Sequence, residues 1–436
     1  MLRRTSRCVY SDVSLAARVA SSFEGDDVTT RGNRMRKFIK QGMKTNVFPV
    51  DSGIPFRDVR AINGLIENFN YTGFYDLTFL RNISDEVISS VKTPTDAIRF
   101  MSNLTRLGHT DSQLIVTCTT KLLELAREQH LSAHQASELI SMFARQRLRI
   151  EDLVVALIAE FYPHMSVNEQ ARVVADGASL KIPLERLPDL PQVPQDVKAC
   201  TDLIMAFVLN PELMQSESLV SSRFIPLLGY LNTRLSNRNI LDSLDPAWRR
   251  KLLLTRAALK YAYPNIEAAV PRSSSSFLTY AAVSEPTDFR TATPFKKQVS
   301  DTLFELGIRH SSNANFGALD VDIEESGKKV IWNCDTHSRF FVGVDSKTRT
   351  PFYDLRDRVL HGMGYSLVQI PYWHWSRITN RKLRVDYCRM NRHLVLKEHR
   401  ATNEQAYQGE YFFKKSVPKR SWSWHGQSTL PVRISI

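Results

Sequence analysis

The sequence predicts a two-part α + α/β protein: a solenoid-like array of α-helical repeats followed by a small α/β domain. Three observations predict it. Helix-start signals recur at a near-constant interval through the first half of the chain. Two later helices open on Thr-Pro pairs and bracket hydrophobic strand runs. Residues 317–335, GALDVDIEESGKKVIWNCD, alternate as a β-hairpin. The 436 residues exceed what one ordinary core accommodates, so more than one domain is expected.

The first element, residues 1–23, reads MLRRTSRCVYSDVSLAARVASSF, with Arg3, Arg4, Arg7 and Arg18, several serines and one acid, Asp12. This is the composition of a mitochondrial-type presequence, a transit peptide. The arginines alternate with Leu, Val and Ala as an amphipathic helix requires, although an ordinary basic N-terminus would share part of the pattern. The expected location is the mitochondrial matrix. Residues 24–92 form a leading segment whose basic run RGNRMRKFIKQGMK (31–44) could remain as an RNA-contacting arm. The five cysteines are scattered, with no C-x-x-C, which argues against a zinc module and against a disulfide framework. No run approaches the ~18 to 20 apolar residues of a membrane span, so no membrane partner is expected.

The helical-repeat region is placed at 93–270. SAHQASELISMFARQRLRIEDL (132–153) and SVNEQARVVADGASLKIPLERL (166–187) align without gaps at an offset of 166 − 132 = 34. Ser132 matches Ser166, Gln135 matches Glu169, Leu139 and Ile140 match Val173 and Val174, and Leu153 matches Leu187. Ser-x-x-Gln and Ser-x-x-Glu are both capping boxes. An earlier copy starts at Thr93, with Ala97, Phe100, Met101 and Leu104 matching Ala136, Leu139, Ile140 and Phe143 at an offset of 39. Ile150, Leu153, Val154, Leu157, Ile158 and Phe161 form the apolar stripe of an intervening helix. A helix pair recurring at this period is the pattern of an α-solenoid; the alternative is an unrelated helical domain with chance capping. Proline interrupts the array at 188, 191 and 194, and PRSSSSF (271–277) opens an expected linker over 271–289.

The α/β domain is placed at 290–395. TPFKKQVSDTLFELGI has Thr293 as N-cap and Pro294 in the first turn, with Phe295, Val299, Leu303 and Leu306 as its buried stripe. The hairpin follows, then RFFVGVD (339–345) as an expected third strand. A second helix starts at Thr350-Pro351, turns Phe352, Leu355, Val359 and Met363 inward and ends at Gly364. YSLVQIP (365–371) is a buried strand. The order is α-β-β-β-α-β. In the hairpin, Asp320 and Asp322 share one side of the first strand, with Leu319, Val321 and Ile323 on the other. Ile331, Asn333 and Asp335 share one side of the second, with Val330, Trp332 and Cys334 opposite. Like charges facing one another destabilise a sheet, so this acidic face requires a reason.

ALDVDI, KKVIWNCDTHSRFF and LRDRVLHGMGYSLVQIPYWHW together resemble the RAP domain of organellar RNA-binding proteins, including the FAST-kinase-related mitochondrial proteins. Asp322-Ile323 fills the first element and Asp335 the second acid. Arg356 or Arg358 precedes the core leucine. Gly364-Tyr365 and Ile370-Pro371-Tyr372 with Trp375 supply the end. The resemblance runs over roughly 290–390 and implies a restriction-endonuclease-like fold, which commonly follows degenerate helical repeats. Active nucleases of that kind hold a divalent metal with an Asp and a Glu-x-Lys. Here Asn333 stands at the Glu position and Asp335 at the Lys position, so the implied site is degenerate. The expectation is a non-catalytic protein without cofactor. Asp322, Asp335 and Asp320 are the candidate catalytic residues, with Mg²⁺, only under a nuclease alternative. Alternatively the carboxylates bond to turn and helix-terminal N–H groups and hold the fold.

Net charge is +13 and pI about 9.5, a balance that favours nucleic acid or an anionic surface. From Ser376 onward there are 13 Lys/Arg and 4 Asp/Glu, so 13 − 4 = +9 of the charge sits in the last segment. The candidate RNA-binding residues are Trp373, His374, Arg377, Arg381, Lys382, Arg384, Arg389, Arg392, Lys414 and Lys415. Trp373 is expected to be exposed for base stacking and Trp375 to be buried against the first helix. The basic run 377–400 suits a phosphate backbone, though a solvated helix face has similar composition. The basic and aromatic extension 396–436 resembles those of organellar ribosomal proteins. The expected function is RNA binding in mitochondrial rRNA or mRNA maturation, or as a component or assembly factor of the mitochondrial ribosome, with rRNA and ribosomal or assembly proteins as partners. A metal-dependent endoribonuclease and a protein-binding scaffold are the alternatives.

Overall fold

The computed structural model describes residues 88–106, 131–236, 244–280, 293–317, 319–342 and 347–397, with shorter pieces between residues 34 and 125. Residues 1–23, where a presequence is expected, most of 24–92, and the extension beyond residue 397 with Lys414 and Lys415 lie outside the described residues. The described chain is mostly helical, with a small mixed sheet toward the C-terminus. It divides into two compact units, the first holding the described residues up to Leu148 together with Val342, the second those of 149–341 and from residue 347 on.

The elements of the first unit with described bounds include an antiparallel pair, β1 (Val47–Phe48) and β2 (Asp51–Pro55), and the helices α1 (Pro94–Arg106) and α2 (Ala133–Gln146). Thr93 caps α1 by accepting from the Asp96 N–H at 3.2 Å. Ser132 and Gln135 form the expected capping box on α2. The Gln135 amide also donates to Thr95 Oγ1 at 2.8 Å, so one side chain serves both helix starts. Ala97, Phe100, Met101 and Leu104 are buried, as are their matched positions Ala136, Leu139, Ile140 and Phe143.

The second unit begins with α3 (Glu151–Phe161) and α4 (Val167–Ser179), the latter started by the Ser166–Glu169 capping box. Next come α5 (Val197–Leu209), α6 (Pro211–Gln215), α7 (Ile225–Leu235), α8 (Pro246–Ala257) and α9 (Pro264–Ala269). All eleven residues from Ala199 to Leu209 are buried, which makes α5 the central helix. A π-helical turn, Ala258–Ala262, follows α8 directly. The serine-rich stretch expected to be a loop instead forms two short helices, α10 (Arg272–Ser275) and α11 (Phe277–Tyr280). The reason is a cap supplied from outside the stretch: Asn232 Oδ1 on α7 accepts from Ser276 Oγ at 2.8 Å and from the Phe277 N–H at 3.1 Å. Phe277 and Leu278 are then buried.

The α/β part opens with α12 (Pro294–Glu305), capped by Thr293. Its stripe is as expected: Val299 and Leu303 are fully buried, and Phe295 and Leu306 pack beside them. Strands β3 (His310–Ser312), β6 (Ile323–Glu325), β7 (Val330–Asp335) and β8 (Ser366–Pro371) make one sheet in the order β3-β6-β7-β8. β7 and β8 are parallel and joined by α13 (Pro351–Gly362); the other pairs are antiparallel. Two short strands, β4 (Asn315–Phe316) and β5 (Leu319–Asp320), form a separate small hairpin. α14 (Tyr372–Trp375) and α15 (Arg381–Lys397) end the unit.

Three expectations are corrected here. Residues 319–323 are not one strand. The chain bends at Asp322, so Leu319 and Val321 enter one core while Ile323 enters the other. RFFVGVD does not form a third strand over its described part: His337–Arg339 is a 3-10 turn that carries Arg339 inward. Phe352 is not an inward residue; it is 39% exposed in the first turn of α13, against Tyr353. The C-terminus of α13 is as expected. Gly364 takes φ +84°, and the N–H groups of Gly364 and Tyr365 return to the His361 and Leu360 carbonyls at 2.8 and 3.0 Å. That is a Schellman cap.

β7 is buried along its whole length, so both faces of the sheet are covered. Val330, Trp332 and Cys334 face a core shared with α12 and α15. Ile331 faces a larger core that includes Leu355, Val359 and Leu360 of α13 together with α4, α5, α7 and α8. The predicted alternation of β7 therefore holds, and it delivers Asn333 and Asp335 to the α13 side.

Candidate functional site

Two polar positions on a buried strand require partners. Asp335 and Asn333 on β7 are both 0% exposed. Asp322, at the bend before β6, is also buried, and its Oδ2 accepts from the Cys334 N–H at 2.8 Å. The bend thus exchanges one strand-ladder bond for a side-chain bond and turns the carboxylate across β7.

Cations meet these acids from three elements. Lys296 on α12 reaches Asp322 Oδ1 at 2.7 Å. Arg339, brought in by the 3-10 turn, donates one guanidinium nitrogen to Asp322 Oδ2 and the other to Asp335 Oδ1 at 2.7 Å. Arg349 pairs with Asp357 on α13 and stands 3.6 Å from Asp335 Oδ1. Arg356 donates to Asp357 Oδ1 at 3.1 Å, and Gln369 of β8 donates to Asp357 Oδ2 at 2.6 Å. Tyr353 lies under two guanidinium groups, Arg339 at 5.1 Å and Arg356 at 5.2 Å from its ring centre. The cluster therefore holds Asp322, Asp335 and Asp357 against Lys296, Arg339, Arg349 and Arg356.

The environment sets each protonation state. Burial pushes the Asp322 pKa up, but Arg339 and Lys296 outweigh it and hold the carboxyl below its ordinary value. Asp357 is likewise held low, by Arg356 and Arg349 against burial. At Asp335 burial prevails over Arg339 and Arg349, and its pKa is raised. Burial alone would lower Arg339, yet Asp322 and Asp335 raise it, so the guanidinium stays charged. Asp335 Oδ2, Asn333 Oδ1 and Gln369 Oε1 are buried acceptors without a hydrogen-bond partner among the described residues.

Asp322 is not free to hold Mg²⁺. A hard divalent ion takes carboxylate and water oxygens, and both Asp322 oxygens are already engaged by Lys296, Arg339 and the Cys334 N–H. Asp320 is not part of the cluster; it pairs with Arg250 of α8 at 2.7 Å. No group of three or more His, Cys, Asp or Glu among the described residues is placed to hold a metal. The sequence reading missed Lys296, Arg339, Arg349, Arg356, Asp357, Tyr353 and Gln369 as members of the cluster. Their signal was the density of arginine between residues 339 and 358, since acids on a buried strand need nearby cations.

The expected RNA-binding residues are placed as follows. Trp375 is buried, as expected, with its indole N–H on Gln298 of α12 at 3.0 Å. Trp373, expected to be exposed, is half-buried, and His374 is half-buried beside it. Arg377 is exposed. On α15 the arginines are engaged within the chain. Arg381 pairs with Glu305 at 2.6 Å and Arg389 with Asp386 at 3.0 Å. Arg384 donates to the Ile378 carbonyl at 2.7 Å and lies 5.0 Å over the Trp375 ring. Arg392 makes a two-pronged pair with the buried Glu325. Lys382 is exposed, its backbone N–H capped by Asn380 at 2.8 Å.

A second group of residues gathers where α14 meets the 3-10 turn. The Trp373 ring is 4.6 Å from Phe340, 5.1 Å from Tyr372 and 6.2 Å from His374, and Tyr372 is 6.3 Å from His337. Burial first, then Arg377 and Lys347, lower the His374 pKa to about 4, so its imidazole is neutral near pH 7.

Comparison with known proteins agrees with the C-terminal assignment. The family model of the RAP domain matches residues 332–390, from the third residue of β7 to the middle of α15. No curated protein matches the chain. Lys296, Asp320 and Asp322 precede the matched stretch, whereas Asp335, Arg339, Arg349, Asp357 and Trp373 fall inside it. The chain therefore carries a RAP domain at residues 332–390, a module generally associated with RNA binding.

Proposed function

We propose that this chain is a non-catalytic RNA-binding protein of the mitochondrial matrix, acting in rRNA or mRNA maturation or as a component or assembly factor of the mitochondrial ribosome. The RAP domain supports RNA as the partner. The Arg-rich, acid-poor opening supports the mitochondrion, and the basic, aromatic C-terminal run supports a ribonucleoprotein particle. A solenoid-like arrangement of the repeat-patterned helices would add an extended surface for RNA or protein.

The observation that carries the non-catalytic reading is Arg339. Its guanidinium bridges the two carboxylates that a nuclease of this type would use for metal. A metal-activated water needs open coordination positions on an ion, and here a fixed organic cation engages one oxygen of each carboxylate. The cluster then serves to hold β6, β7 and α13 together.

Sedimentation of tagged protein through a gradient tests the particle reading, with migration alongside a mitochondrial ribosomal subunit as the expected result. Crosslinking should give discrete peaks on mitochondrial rRNA or mRNA; sparse background would favour the scaffold. RNA cleaved with Mg²⁺ in an Asp322-dependent manner would favour the endoribonuclease.

A further inference from the structure

The ridge formed by the 3-10 turn and α14 combines three features that the acidic cluster lacks. It carries aromatic rings near the surface, exposed hydroxyl and imidazole groups, and exposed cations. His337, Ser338, Lys347, Ser376 and Arg377 are all exposed, and Tyr372, Trp373 and His374 are half-buried between them. None of the described residues in 336–342, 347–350 and 372–380 is acidic.

The rings are held rather than loose. Trp373 meets Phe340 at 62° and Tyr372 at 83°, and Phe340 is itself buried. Neither contact is a parallel stack. An indole fixed edge-on by its neighbours loses little further freedom on binding, which is what a stacking platform requires. His374 is neutral near pH 7, so it offers a hydrogen-bonding edge rather than a charge. Lys347 and Arg377, from separate segments, both act electrostatically on His374, so two exposed cations lie close enough to the imidazole to be felt.

We propose that this ridge is a binding site for unpaired nucleotides of single-stranded RNA, with Trp373 stacking a base and Lys347 and Arg377 holding its flanking phosphates. The inference rests on the RNA-binding reading and specifies the class of RNA. Bases within a duplex are stacked on one another and present only edges and backbone, so a lone indole has no open base face to meet.

The test is fluorescence anisotropy with the full chain, an unstructured labelled RNA strand and the same strand in a blunt duplex. The strand should bind more tightly than the duplex. Trp373→Ala should weaken strand binding about tenfold, and Trp373→Phe should retain most of it. Because Trp373 also packs on Phe340, a variant at two exposed positions, Lys347→Ala with Arg377→Ala, provides the independent check. It should melt like the wild type and lower the slope of log affinity against log salt by about 1.4. Equal affinity for strand and duplex, or full strand affinity in the double alanine variant, overturns the inference and leaves RNA binding standing. A wild-type chain with no affinity for either RNA overturns both.

Discussion

Arg339 sets the character of the acidic cluster, because one planar fork bridges the carboxylate at the bend before β6 and the carboxylate at the end of β7. Arg339→Met leaves a similar apolar length but strands Asp322 and Asp335 without their shared cation. Breaking a buried pair in this way costs about 3 to 5 kcal/mol, which urea unfolding at pH 7 would register. A loss under 1 kcal/mol would mean that Lys296 and Arg349 suffice without it. His374 gives a prediction about pH. Its folded pKa, about 4, lies below the ordinary 6.5, so between those values the unfolded chain binds a proton that the folded chain does not. Stability therefore falls as pH drops from 6.5 toward 4. The His374→Gln variant should lose less stability than the wild type between pH 7 and pH 5, measured as the shift in urea midpoint. Equal shifts would show that the imidazole charges freely in the fold.

At the scale of single elements, close backbone contact decides what local propensity cannot. Gly362 lies in the last turn of α13, where glycine weakens a helix by about 1 kcal/mol relative to alanine. A Cβ placed there would lie 1.9 Å from the Tyr261 carbonyl oxygen of the π-helical turn. Gly362→Ala should therefore destabilise by about 1 to 3 kcal/mol despite its better propensity; a stabilised variant would show that the two backbones can separate freely. This distinction also explains what the sequence revealed. The capping boxes at Ser132 and Ser166, the Thr293 cap, the Gly364 turn and the alternation of β7 depend on residues within a few positions of one another, and periodicity exposes them. The bend at Asp322, the short strand at 310–312, the inward turn at Arg339 and the helices at 272–280 depend on partners far along the chain. Asn232 is 44 residues from Ser276, and Arg339 is 17 from Asp322. The acidic face was legible as an anomaly, and its arginine solution was visible only in three dimensions.

At the scale of the molecule, the RAP region and the helices before it share one hydrophobic core within the second unit. Leu319, Val321, Ile331, Leu355, Val359, Leu360 and Leu367 bury in the same cluster as residues of α4, α5, α7 and α8. Polar contacts follow the same path. Arg358 donates to the Tyr263 hydroxyl and lies 5.3 Å over its ring, Lys181 pairs with Asp354 at 3.2 Å, and Arg250 pairs with Asp320 at 2.7 Å. A fragment limited to residues 290–395 would expose that whole apolar face to water at roughly 25 cal/mol per Å². A contiguous apolar surface of this kind drives association. The fragment should be aggregated or loosely packed, with high binding of a hydrophobic dye and no cooperative thermal transition. Residues 149–397, which retain the helical half of the core, should give one cooperative transition. A 290–395 fragment that is monomeric and melts sharply would show that the sheet closes its own core. The helices would then be a neighbour against which the RAP fold rests, and RNA contacts of the ridge at Trp373 could be measured on that fragment alone.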